Sequence, residues 1–94
     1  MTDMKRDLND APRLLHRMVL VRRGSVTFNG TEPLVNRDGC WEGTIIKMDP
    51  KVVGKEVVDY ELTIKLAMGV ARKERVITLM FSSDAWCVRF QSIT

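Results

Sequence analysis

The feature that most constrains this chain is the alternation over residues 58–66. Val58, Tyr60, Leu62, Ile64 and Leu66 are apolar, and Asp59, Glu61, Thr63 and Lys65 between them are polar. A period of two places successive side chains on opposite faces of a strand. One face is then buried and the other wet, the mark of an antiparallel sheet packed on one side. Shorter segments repeat the theme. Met18-Val19-Leu20-Val21 seeds a first strand, Val26-Thr27-Phe28 alternates, and Thr44-Ile45-Ile46 is β-branched throughout. Residues 76–81 and 86–90 supply two more strands.

Turn chemistry separates these segments. Asn29-Gly30 and Asp38-Gly39 are hairpin-type dipeptides. Pro33 lacks the donor that a central strand needs. Turns are expected at Met48-Asp49-Pro50-Lys51, near Gly54 and at Ser82-Ser83-Asp84. Many short strands at even spacing predict an all-β, small antiparallel barrel, since closing a sheet hides its edges. The predicted core is Val19, Phe28, Ile45, Tyr60, Leu62, Ile64, Leu79, Val88 and Phe90.

Ahead of the strands, Asn9-Asp10-Ala11-Pro12 has the pattern of a helix start with Asp10 as N-cap. Residues 13–17 suit either a helical turn or an extended lead-in. The expected organisation is a flexible segment over residues 1–12 and one barrel domain over residues 13–94, because 94 residues make a single core.

Several functions are poorly supplied. The chain has two cysteines, Cys40 and Cys87, and one histidine, His16, too few for a four-ligand structural zinc site. Free buried thiols are expected rather than a disulfide. A Ser-His-Asp or Cys-His nucleophile would have to use His16 in the polar lead-in, so no enzyme is expected. The acids Asp59 and Glu61 fall on the wet face of their strand and are expected to be solvated. No apolar leader or membrane-length run is present in the sequence, so the expected compartment is cytoplasmic. With a net charge of +3 the chain attracts anions only modestly.

One polar stretch stands out. Asp38-Gly39-Cys40-Trp41-Glu42-Gly43 runs straight into the strand Thr44-Ile45-Ile46. Asp38 is suited to accept from the N–H two residues on, and Gly39 tolerates positive φ. Gly43 allows close approach of a ligand or a crossing strand, having no Cβ. Upstream, Arg13 and Arg17 are four residues apart and Arg22-Arg23 follow. Guanidinium groups pair with phosphate and stack on flat rings. Arginine also donates to the guanine O6/N7 edge, while a carboxylate accepts from N1–H and N2–H₂. Arginines beside an Asp-containing turn thus suit a guanine nucleotide.

The order R-x-x-x-R, then a D/N-x-S-x-x-G turn, resembles the PilZ domains, bacterial receptors for cyclic di-GMP. Here the two motifs are Arg13-Leu14-Leu15-His16-Arg17 and the stretch from Asp38 to Gly43. Gly54 ahead of the alternating strand and the ending Val88-Arg89-Phe90 are similar in context, so the likeness spans roughly residues 13–93. Cys40 stands where the family has serine, and Gly39 where an aliphatic residue is usual. The resemblance implies a six-stranded barrel in a cytoplasmic signalling protein. It implies Arg13, Arg17, Asp38, Cys40 and Gly43 as ligand contacts, no metal or other cofactor, and a protein partner. Ordering of the lead-in would carry the signal to that partner.

Two other readings stand beside it. Glu42-Gly43-Thr44-Ile45-Ile46-Lys47-Met48-Asp49 also looks like the G-x-L-x-x-x-D strand of Sm-like RNA-binding barrels, which follow a short helix. The asparagine after Asp49 and the late R-G motif of that family are absent. A ligand-free interaction module, such as a phage-encoded inhibitor, also fits the composition.

Overall fold

The computed structural model describes residues 7–28, 32–36, 39–67 and 75–88. The fold is mostly antiparallel β. Its strands are β1 (Met18–Arg22), β2 (Cys40–Val53), β3 (Glu56–Leu66), β4 (Arg75–Met80) and β5 (Trp86–Val88), preceded by a 3₁₀ helix over Leu8–Leu14. They form one sheet in the order β4-β3-β2-β1-β5. The sheet has five strands, and no ladder joins β4 to β5 among the described residues.

The sheet is nevertheless rolled. Laid flat, five strands would hold their outer edges about 19 Å apart. Here those edges are consecutive in sequence and joined only by residues 81–85. That link is folded, not stretched. The Phe81 N–H donates to Tyr60 O at 2.8 Å, the Ser83 N–H to Met80 O at 2.9 Å, and the Arg22 N–H to Ala85 O at 2.7 Å. The Trp86 indole N–H reaches Met80 O at 3.1 Å. The two edges therefore converge at this end.

The core fills the inside of the roll. Val19, Val21, Trp41, Ile45, Leu62, Ile64, Leu66, Ile77, Phe81 and Trp86 are buried there, along with Ala11 from the helix. The register explains their meeting: Val21 lies opposite Trp41 and Trp86, and Ile64 lies opposite Ile45 and Ile77. Of the predicted core, Val19, Ile45, Leu62 and Ile64 are fully buried, and Phe28, Tyr60, Leu79 and Val88 pack partly buried against them. Phe90 lies outside the described residues.

Four expectations are corrected. No turn forms at residues 48–51; β2 runs through Pro50, which pairs with Tyr60. β1 covers β2 only along residues 40–44, so the missing proline donor has an uncovered edge to face. The actual turn is at Gly54, with φ +65°. Residues 26–28 form no strand; Phe28 instead meets Trp41 edge-on at 5.0 Å. The N-cap is Asp7, whose carboxylate accepts from the Asn9 N–H at 2.9 Å, and not Asp10. Residues 8–12, expected to be a flexible lead-in, belong to a packed helix whose Ala11 is completely buried.

Candidate functional site

The strand register decides which of the sequence-predicted residues meet. His16 and Arg17 extend β1 backwards onto β2: the His16 N–H donates to Ile45 O at 2.7 Å, and the Ile45 N–H donates to Arg17 O at 3.1 Å. From there Met18 pairs with Thr44 and Val19 with Gly43. The end of the R-x-x-x-R segment is thus stitched to the strand leaving the glycine of the second motif. His16 makes this turn with φ 70°, a left-handed conformation uncommon outside glycine.

Gly43 is buried between β1 and β3. A Cβ there would sit 2.6 Å from Ile64 Cγ2 and 3.0 Å from Lys65 O. Of the two roles the sequence allowed this glycine, the crossing strand is the one the packing shows. Gly39 adopts φ +79°, as its place in the turn predicted.

Cys40 is farther away. It pairs with Arg22, at the opposite end of β1 from Arg17. Four strand steps separate Met18 from Arg22, about 13 Å. Cys40 therefore shares the outer face of the sheet with Arg22, Glu42 and Thr44, not with Arg17. Arg13 is strongly exposed on the helix and approaches Asp10 at 3.9 Å, a surface pair of little energetic weight. Asp38 lies outside the described residues. The donor assigned to it, the Cys40 N–H, bonds to Asn36 Oδ1 at 2.9 Å. Asn36 also donates its own N–H to Cys40 O at 2.8 Å and accepts from the Gly39 N–H at 3.0 Å. The turn is thus built around Asn36, a residue whose side chain reaches local backbone as readily as aspartate.

Neither cysteine forms a disulfide, and both are half-buried. Cys40 lies on β2 opposite Arg22, and Cys87 lies on β5 opposite Leu20, with β1 between them. Two strand spacings and a two-residue offset along β1 put their Cα atoms about 12 Å apart, beyond the ~7 Å limit for a disulfide.

Sequence reasoning missed two charged arrangements. Glu32 accepts from Arg23 Nε at 2.6 Å and Nη2 at 3.0 Å, and from the Trp41 indole at 3.1 Å. The Arg23 guanidinium first and the Trp41 N–H second hold its carboxyl below the ordinary glutamate value. Asp59 is not simply solvated: it accepts from the Tyr60 N–H at 2.8 Å, the Ser82 N–H at 3.1 Å and the Ser82 hydroxyl. It ties β3 to the link that brings the sheet edges together. Both pairings span long loops or separate strands, so no local motif announces them. Glu61, the other expected wet-face acid, pairs with Lys51 at 3.7 Å.

An open pocket of ≈ 190 Å³ lies beside Gly43, lined by Met18, Glu42, Thr44, Lys65 and the chain at Leu66 and Ala67. Among the described residues no group of three or more His, Cys, Asp or Glu side chains is placed to hold a metal. No described helix is long and apolar enough to cross a membrane. Compared with family models, curated proteins and solved structures, the chain matches none.

Proposed function

We propose that this chain is a PilZ-like receptor domain for cyclic di-GMP, which couples ligand binding to a protein partner in the cytoplasm without catalysis. The supporting observation is the backbone pairing of His16 and Arg17 with Ile45. It joins the arginine segment to the strand that follows Gly43, and the adjoining Met18, Gly43 and Thr44 line an open pocket. In this reading the converging sheet edges belong to a six-stranded barrel. Arg13 and Arg17 engage phosphate and guanine. Asp38 and Cys40 complete the contacts toward the Arg22 end. Because residues 8–17 already pack and pair with the sheet, the signal passes through a formed surface rather than through ordering of the lead-in.

Titration calorimetry with cyclic di-GMP tests the proposal. Arg13→Ala and Arg17→Ala should each weaken binding roughly tenfold or more, since a hydrogen bond to a charged group is worth about 1.5–3 kcal/mol. Melting of the unliganded protein should hardly move, because Arg13 and Arg17 are exposed. No heat and no thermal shift in the wild type at high micromolar ligand would reject the receptor reading.

A second reading has its own observation. A short helix just ahead of β1 and a long, bulged β2 carrying Gly43 and Asp49 suit the Sm-like alternative. Single-stranded RNA in the same calorimeter separates the two. An Sm-like protein would bind RNA, and the two arginine changes would leave that binding largely intact.

A further inference from the structure

The ladders set Met18, Thr44 and Lys65 side by side across β1, β2 and β3. Glu42 follows on the same face of β2, two residues from Thr44, where side chains again point the same way. The open pocket of ≈ 190 Å³ lies among these four residues. Its far wall is anchored by the Ala67 N–H, which donates to Glu42 O at 2.8 Å. Arg17 immediately precedes Met18 and is exposed.

The lining chemistry is selective. Met18, 38% exposed, offers a polarizable apolar surface against which a flat ring can lie. The Glu42 carboxylate is acceptor-only, and the exposed Lys65 ammonium is donor-only. Thr44 adds a hydroxyl between them. A flat ring with two neighbouring N–H donors, carried next to a phosphate, complements such a pocket. Guanine presents those donors as N1–H and N2–H₂. Adenine presents an acceptor at N1 and no 2-amino group, so a carboxylate there faces a lone pair and loses its partners.

Building on the cyclic di-GMP reading, we infer that Glu42 receives the guanine N1–H/N2–H₂ edge and that Lys65 holds an adjoining phosphate. The base subsite is thus the pocket at Thr44, and not the turn at residues 36–40. The sequence pointed to Asp38 as the carboxylate for guanine. The neighbouring Cys40 is paired with Arg22, at the far end of β1 from Met18.

The test is calorimetry on the full chain with cyclic di-GMP and with cyclic di-AMP, using wild type, Glu42→Gln, Lys65→Ala and Lys65→Arg. Circular dichroism reports whether each variant is folded. Lys65→Ala should weaken both dinucleotides about tenfold, the scale of one charged hydrogen bond, and Lys65→Arg should restore most of that loss. Glu42→Gln should weaken cyclic di-GMP while leaving cyclic di-AMP unchanged, so that the guanine preference narrows. If wild type binds cyclic di-GMP and folded Glu42→Gln and Lys65→Ala both bind it within about twofold of wild type, this assignment is overturned while the receptor reading stands; such a change is worth under 0.5 kcal/mol. Wild type that binds neither dinucleotide overturns the receptor reading and this assignment with it.

Discussion

Gly43 shows how much can rest on one missing methyl group. A Cβ there would meet Ile64 Cγ2 at 2.6 Å and the Lys65 carbonyl at 3.0 Å, and the carbonyl belongs to backbone that cannot swing away. Gly43→Ala should therefore destabilise the fold by about 1–3 kcal/mol, the usual cost of overpacking, read as a lowered urea midpoint. Glu32 makes a prediction of a different kind. Its folded carboxyl titrates below the ordinary 4.5, held down by Arg23 and Trp41. A depressed folded value means stability that is fully present above pH 4.5 and lost as pH falls through the folded value. Glu32→Gln should thus melt below wild type at neutral pH, and the two melting curves should converge in acid. A gap that stays constant across that range would show that the ionised carboxylate adds nothing.

The β2–β3 pair is the dominant element, and it changes character along its length. Trp41, Gly43 and Ile45 face inward up to the register shift between Ile45 and Lys47. Past that shift Met48 packs against the core, and Ile46 and Lys47 are exposed, because one extra residue flips every later side chain. Farther out the strands outrun β1, and Val52, Val53, Val57 and Val58 are exposed by 40–68%. The alternation that is structural at Leu62 thus has nothing to pack against at Val58 among the described residues. Leu62→Ala should cost on the order of 2–5 kcal/mol, whereas Val53→Ala should stay within about 0.5 kcal/mol. Equal losses in chemical denaturation would mean that the arm tip is covered. Asp59 belongs to this scale too. Removing its carboxylate takes away the acceptor that ties the exposed Ser82 N–H at the link between β4 and β5 to β3, so Asp59→Ala should cost about 0.5–1.5 kcal/mol.

At the scale of the whole molecule, the sheet is rolled until its outer strands meet at one end. The residues of the proposed base pocket come from β1, β2 and β3, and the pairing of those three neighbouring strands sets Met18, Thr44 and Lys65 side by side. The strand order also keeps the two thiols apart on either side of β1, so melting with and without reductant should give the same midpoint. A reductant-sensitive midpoint would mean that Cys40 and Cys87 come within bonding range.

Residues 60–66 could be read directly, because a two-residue period has only one way to bury its apolar set. The φ of Gly39, the hairpin at Gly54 and the close approach at Gly43 were equally local, since each follows from the lack of a Cβ. Other features were decided by partners distant in sequence. Whether Pro50 ends a strand or continues it depends on where β1 stops. Whether Phe28 belongs to a strand depends on Trp41 offering it an aromatic edge. Whether residues 8–12 pack depends on a recess that fits Ala11. The candidate site divides in the same way. The residue types suited to a guanine nucleotide are visible in the chain. Which of them share a face is set by the pairing register, and that register is a property of three strands at once, because no single strand encodes the offset of its neighbours.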